Sequence, residues 1–83
     1  MIHFSLRQLE YFTAAARCGG AARAAEAMNV SQPSISKAIA ELESLWGERL
    51  FVRLHARGLE LTATGARRYT QASALLQQAG GPL

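Results

Sequence analysis

The residues with the most chemical capability lie in one short run, Ser31-Gln32-Pro33-Ser34-Ile35-Ser36-Lys37. It offers three hydroxyls, a carboxamide and an ammonium, all on side chains short enough or straight enough to hydrogen-bond outward. Gln32 matches the N6/N7 edge of adenine and Lys37 the O6/N7 edge of guanine. Ser31, Ser34 and Ser36 can donate or accept at base edges or phosphates, and Pro33 offers an apolar surface to a thymine methyl. Further along, Arg53 and Arg57 flank a turn, where a cation on a narrow protrusion suits the negative potential of a minor groove. Arg23 is a candidate phosphate contact. Catalysis finds no comparable cluster. His3, Cys18 and His55 fall in unrelated segments and Asp is absent, so neither an enzyme nor a metal or cofactor site is expected.

These groups need elements to hold them outward. A first helix is predicted from about Ser5 to Cys18, capped by Ser5, with Leu6, Leu9, Phe12 and Ala16 recurring on one side and Gly19-Gly20 stopping it. A short second helix, Ala21 to Met28, is built from Ala, Arg and Glu, whose helix propensity is high. The third begins with Ser31 as N-cap and Pro33 in the first turn, where the missing amide hydrogen has no intrahelical partner to lose. Its stripe Ile35, Ile39, Leu42 and Trp46 is apolar, and Gly47 ends it. The segment thus reads as helix, tight turn, helix, the second opening on small polar groups. After Gly47, Leu50–Leu54 and Leu59–Thr62 form two short strand-like runs around Gly58, a β-hairpin whose register this pattern leaves open. A last helix runs from near Thr62 to about Gln78. Tyr69, Ala72, Leu76 and Ala79 follow a three–four spacing suited to a helical partner, with Leu75 large enough to add to it. Gly80-Gly81-Pro82 reads as a flexible tail.

Composition bounds the rest. Eighty-three residues make one small domain with a modest core, burying roughly 60% of the unfolded surface, too short for a doubly wound nucleotide-binding enzyme or a barrel. The hydrophobic share is 49% and the charged share 18%, which fits a globular chain rather than a disordered one. One cysteine precludes an internal disulfide and points to a reducing compartment. No run reaches the ~18 unbroken apolar residues of a membrane span, so a soluble cytoplasmic module without membrane contact is expected. Nine Lys and Arg against six Glu give +3. That excess suits a polyanionic partner if the fold gathers Lys37, Arg49, Arg53 and Arg57 on one face.

The runs Leu6-Arg7-Gln8-Leu9-Glu10-Tyr11-Phe12, Arg23-Ala24-Ala25-Glu26, Val30-Ser31-Gln32-Pro33-Ser34-Ile35-Ser36-Lys37, Leu42-Glu43, Leu50-Phe51 and Leu61-Thr62 resemble the N-terminal domain of LysR-type transcriptional regulators, in matching order from about Leu6 to Leu76. The resemblance implies a mainly α, winged helix-turn-helix fold. Residues 1–61 would form a three-helix core plus a β-hairpin wing, 62–79 a long linker and dimerisation helix, and 80–83 a tail. It further implies that Gln32, Pro33, Ser34, Ser36 and Lys37 face double-stranded DNA and that Arg53 and Arg57 lie on the wing. The last helix would pair with its counterpart in a homodimer, with Tyr69, Ala72, Leu75 and Leu76 as candidate contacts. RNA polymerase is a further partner open to a full-length regulator. Gly20 stands where the family usually has a capping serine, Ala21 where a bulky apolar residue often packs, Ala22 where Ser or Thr is common, and Thr64 where a small residue precedes Gly65. Family members also carry a C-terminal effector-binding domain several times larger than this chain, which is therefore read as an excised DNA-binding fragment. The rival reading is a protein-interaction module that uses a winged-helix scaffold without reading DNA. Salt separates the two, because phosphate neutralisation releases counterions.

Overall fold

A computed structural model describes residues 4–54 and 58–78. Four helices, α1 (Leu6–Cys18), α2 (Ala21–Met28), α3 (Gln32–Trp46) and α4 (Ala63–Gln78), are joined by one antiparallel hairpin, β1 (Phe51–Leu54) and β2 (Gly58–Leu61), placed between α3 and α4. The mainly α winged helix-turn-helix predicted from sequence is the observed architecture. His3, His55, Arg57, Ala79 and the 80–83 tail lie outside the described residues.

Each helix is bounded by local chemistry. Ser5 and Gln8 form a reciprocal capping box on α1: the Gln8 amide donates to Ser5 Oγ at 3.1 Å and the Ser5 amide to Gln8 Oε1 at 2.8 Å. Gly19 closes α1 at φ +81°, a left-handed geometry that glycine adopts without steric cost. Asn29 takes that role after α2 at φ +59°, as its short polar side chain permits. Ser31 caps α3 by accepting the Ser34 amide. Thr62 caps α4: its Oγ1 accepts the Gly65 amide at 2.8 Å and donates to the Arg49 carbonyl at 2.7 Å.

The core lies where α1, α2 and α3 converge, with Leu9, Phe12, Ile35, Leu42 and Leu50 all below 2% exposed. Burying side chains of this size stabilises the domain by about 1.5–3 kcal/mol each. Ala24 and Ala25 are the buried residues of α2, and their small volume lets the neighbouring helices approach. The predicted α3 stripe is inward: Ile35, Ile39 and Leu42 are buried, and half-buried Trp46 meets Phe12 edge-on at 6.4 Å between centroids. On α1 one member of the predicted stripe differs. Leu6, in the first turn, is exposed, and Ala14 and Ala15 are buried with Leu9 and Phe12.

The hairpin pairs Phe51 with Leu61, Val52 with Glu60, Arg53 with Leu59 and Leu54 with Gly58, which supplies the register the pattern left open. Phe51 is buried and edge-on to Phe12 at 5.7 Å. The Leu59 amide donates to the Gly19 carbonyl at 3.1 Å, pinning the hairpin to the α1–α2 turn. That junction is tight enough that a Cβ at Gly58 would collide with the same carbonyl.

Candidate nucleic-acid interface

Three aligned features make the start of α3 available. Its buried face is filled by Ile35, Ala38, Ile39 and Leu42, so the helix is fixed on the domain by one side. Ser31, Gln32, Pro33, Ser34, Ser36 and Lys37 are all exposed. Its free amides begin at a surface N-cap, where the helix dipole favours negative charge. The Ser31 and Ser34 hydroxyls lie 2.8 Å apart, so one of them donates to the other within the cap.

Around this helix the tertiary structure divides the predicted residues. Gln32 and Ser36, four apart on α3, border an open cleft of about 840 Å³ that also takes in Arg23 of α2, Arg49 before the hairpin and Arg53 of β1. Arg53 shares a strand face with Phe51 and is exposed beside that cleft. Ser34 and Lys37 border the opposite flank of α3. Arg57 lies outside the described residues. Among the described residues the one ion pair joins Arg68 to Glu48 at 3.2 Å. Arg23, Lys37, Arg49 and Arg53 are therefore cations without a carboxylate partner there. The cleft's own carboxylate, Glu43, is occupied by the Leu50 amide, which donates to its Oε2 at 2.8 Å.

Spacing alone presents Arg49 as one more charge, not as a site residue. The signal that could have found it is Thr62, whose hydroxyl grips the Arg49 carbonyl from 13 residues away. Arg68 differs in the other direction. A plain surface charge by sequence, it stacks over the Trp46 ring at 4.3 Å while pairing with Glu48, and so fastens α4 to the end of α3.

The dimer candidates differ in how much of each side chain the chain's own core takes up. Ala72 is 2% exposed in the core of its own chain, and Tyr69 and Leu76 pack half-buried against that core. Their three–four spacing is the seam between α4 and the body of the domain. Leu75, at 42% exposed, is the member of the set that faces outward.

The family model described as the bacterial regulatory helix-turn-helix protein, lysR family, matches residues 6–66. The HTH-type transcriptional regulator TfdT of Cupriavidus pinatubonensis is 50% identical over 60 residues, 72% of this chain and 26% of that protein. The Hca operon transcriptional activator HcaR of Escherichia coli is 45% identical over 74 residues, 89% of this chain and 25% of that protein. The chain thus spans about a quarter of the length of these relatives. Among solved structures, the CbnR_DBD–DNA complex superposes with a TM-score of 0.87 at 43% identity, covering 93% of this chain and 87% of that one. The BenM_DBD complex with benA site 1 DNA gives 0.86 at 31% identity, covering 93% and 88%.

Proposed function

The chain belongs to the lysR family of bacterial regulatory helix-turn-helix proteins, and on that premise we propose that it binds double-stranded DNA sequence-specifically, as the operator-reading part of a cytoplasmic, homodimeric transcriptional regulator. The observation that carries this reading is the exposed Ser31–Lys37 start of α3, which stands beside a cleft whose arginines have no carboxylate partner among the described residues. A major groove about 12 Å wide accepts one helix with its side chains, and the only anchoring α3 needs is already supplied from behind. In this mechanism Gln32, Pro33, Ser36 and Lys37 meet base edges. Arg23 and Arg49 neutralise phosphates along the cleft, and Arg53 brings the wing to backbone or minor groove.

Dimerisation would use the outward face of α4, where Thr70, Ala74 and Leu75 are exposed. Two copies would then place their α3 helices in successive major grooves about 34 Å apart, reading an inverted repeat.

Selection from a pool of random duplexes, run at two salt concentrations, tests the reading. Enrichment of an inverted repeat is expected, with affinity falling as salt rises by about 0.9 log units per neutralised phosphate and log unit of salt. A pool that emerges unenriched with salt-insensitive binding would refute it and leave the interaction module standing.

A further inference from the structure

The joint between α4 and the end of α3 is built from few parts. Along its length α4 rests on α1 and β2 through Tyr69, Ala72 and Leu76. Apolar contact of this kind is non-directional: it holds the helix against the body without fixing its tilt. Among the described residues, Arg68 is the member of α4 whose side chain hydrogen-bonds outside its own helix, since Arg67 bonds to Thr64 and Thr70 to the Ala66 carbonyl.

Both of its partners are fixed on α3. Arg68 Nε and Nη2 donate to Glu48 Oε1 at 3.3 and 3.2 Å, and its guanidinium carbon stands 4.3 Å from the centre of the Trp46 ring. Trp46 is itself wedged edge-on between Phe4 at 6.1 Å and Phe12 at 6.4 Å, so the plane that Arg68 lies on cannot turn. Glu48 follows directly from the helix stop, where its amide and that of Gly47 both donate to the Glu43 carbonyl. A planar cation held by a ring face and a carboxylate is directional, and it transmits the orientation of α3 to α4.

Geometry makes that angle matter. Exposed Leu75 lies seven residues beyond Arg68, about two turns along the same side of α4. The face offered to a second copy therefore continues the face the clamp holds. The reading end of α3 begins 14 residues before Trp46, about 21 Å away along the axis. A tilt of about 10° at the clamp swings it by about 4 Å, which exceeds the rise of about 3.4 Å per base pair.

We propose that Arg68 is a positioning residue for specificity: by locking α4 to Trp46 and Glu48 it sets the half-site spacing that the dimer accepts. The proposal rests on the dimeric DNA-binding reading above.

The test repeats the random-duplex selection with the 83-residue chain and scores half-site sequence and spacing separately. The parent should enrich one spacing. Arg68→Leu should keep the half-site sequence while its preference for the parental spacing over neighbours one base pair longer or shorter falls about fivefold, the scale of one cation–π contact plus one ion pair at a half-exposed site. Glu48→Gln, which leaves the ring contact, should lower it about twofold. Arg68→Lys keeps a cation over the ring and should retain the parental spacing, as should Arg67→Leu, which removes the same charge from an exposed neighbour. Circular dichroism checks that each variant keeps its helices, and Glu48→Gln decides alone if Arg68→Leu does not fold. The parental preference persisting in Arg68→Leu and Glu48→Gln overturns the proposal. So does an equal loss in Arg67→Leu, or a half-site sequence that changes together with the spacing. A parent that accepts several spacings equally overturns the proposal and leaves the DNA-binding reading intact. A parental pool without an inverted repeat overturns both.

Discussion

Replacing Gly65 by alanine should destabilise this protein, although the same change on most helices does the reverse. Gly65 lies in the first turn of α4, where alanine's higher helix propensity is worth up to about 1 kcal/mol. Here a Cβ would run into the Leu50 carbonyl oxygen, and would sit 3.0 Å from its carbon and from Leu61 Cδ2. The leucine side chain can yield, but the carbonyl cannot. Leu50 is fully buried, its carbonyl accepts the Thr62 amide at 3.0 Å, and its own amide is held by Glu43. Overpacking against fixed atoms costs about 1–3 kcal/mol, and a strained or broken Thr62–Leu50 bond adds about 0.5–1.5. The net expectation is a loss of about 1–3 kcal/mol out of a total near ~4–12 for a domain of this size. With a urea slope of about 1–3 kcal/mol per molar, the unfolding midpoint should fall by about 1 M. Because Thr62 also grips the Arg49 carbonyl, duplex affinity should fall in parallel at temperatures where the variant is folded. A midpoint equal to or above the parent's would refute the packing argument.

Five further substitutions probe other parts of the same reasoning. Gly20, the N-cap of α2, has extended backbone, no side-chain cap and open space where a Cβ would stand, so Gly20→Ser should add about 0.5–1 kcal/mol from capping and reduced unfolded-state freedom, seen as a raised Tm in calorimetry. Ala22 borders the arginine cleft, and Ala22→Ser should tighten duplex binding by about 0.5–1.5 kcal/mol through one new hydroxyl–phosphate bond; unchanged affinity by fluorescence anisotropy would argue against a strand in that cleft. Lys37→Ala should cost about 1–3 kcal/mol with relaxed preference at one base pair if Lys37 contacts a base, whereas a uniform loss across sequences assigns it to phosphate. Leu75→Asp should shift sedimentation toward monomer and leave Tm nearly unchanged. Leu76→Asp, striking a side chain packed on the core, should cost about 1–3 kcal/mol of stability instead, and equal behaviour of the two would contradict the orientation of α4.

Local features of the chain were legible because their causes are local. Caps at Ser5, Ser31 and Thr62, stops at Gly19 and Gly47, and the stripe Ile35–Ile39–Leu42 depend on neighbours within a turn or two, so spacing alone displays them. The exposed Ser31–Lys37 turn follows directly from that stripe: burying one face of a helix turns the other to solvent. The dimer candidates show where this logic stops. A three–four repeat reports that α4 has an apolar partner, but an intrachain helix and a second molecule satisfy it equally, and Ala72 faces its own domain.

By itself, then, the amino-acid order determined the element boundaries, the amphipathic sense of α3 and the excess of arginine. Only tertiary packing decided which cations share a cleft. Arg23 of α2 shares a cleft with Arg49 and Arg53, which follow it by 26 and 30 residues, because the packing is set by how Ala24 and Ala25 let α2 close on its neighbours and how Thr62 and Gly65 seat α4 beside the hairpin. The hairpin register was decided the same way. Alternation permits several pairings, and the burial of Phe51 against Phe12, together with the Leu59–Gly19 hydrogen bond, selects one.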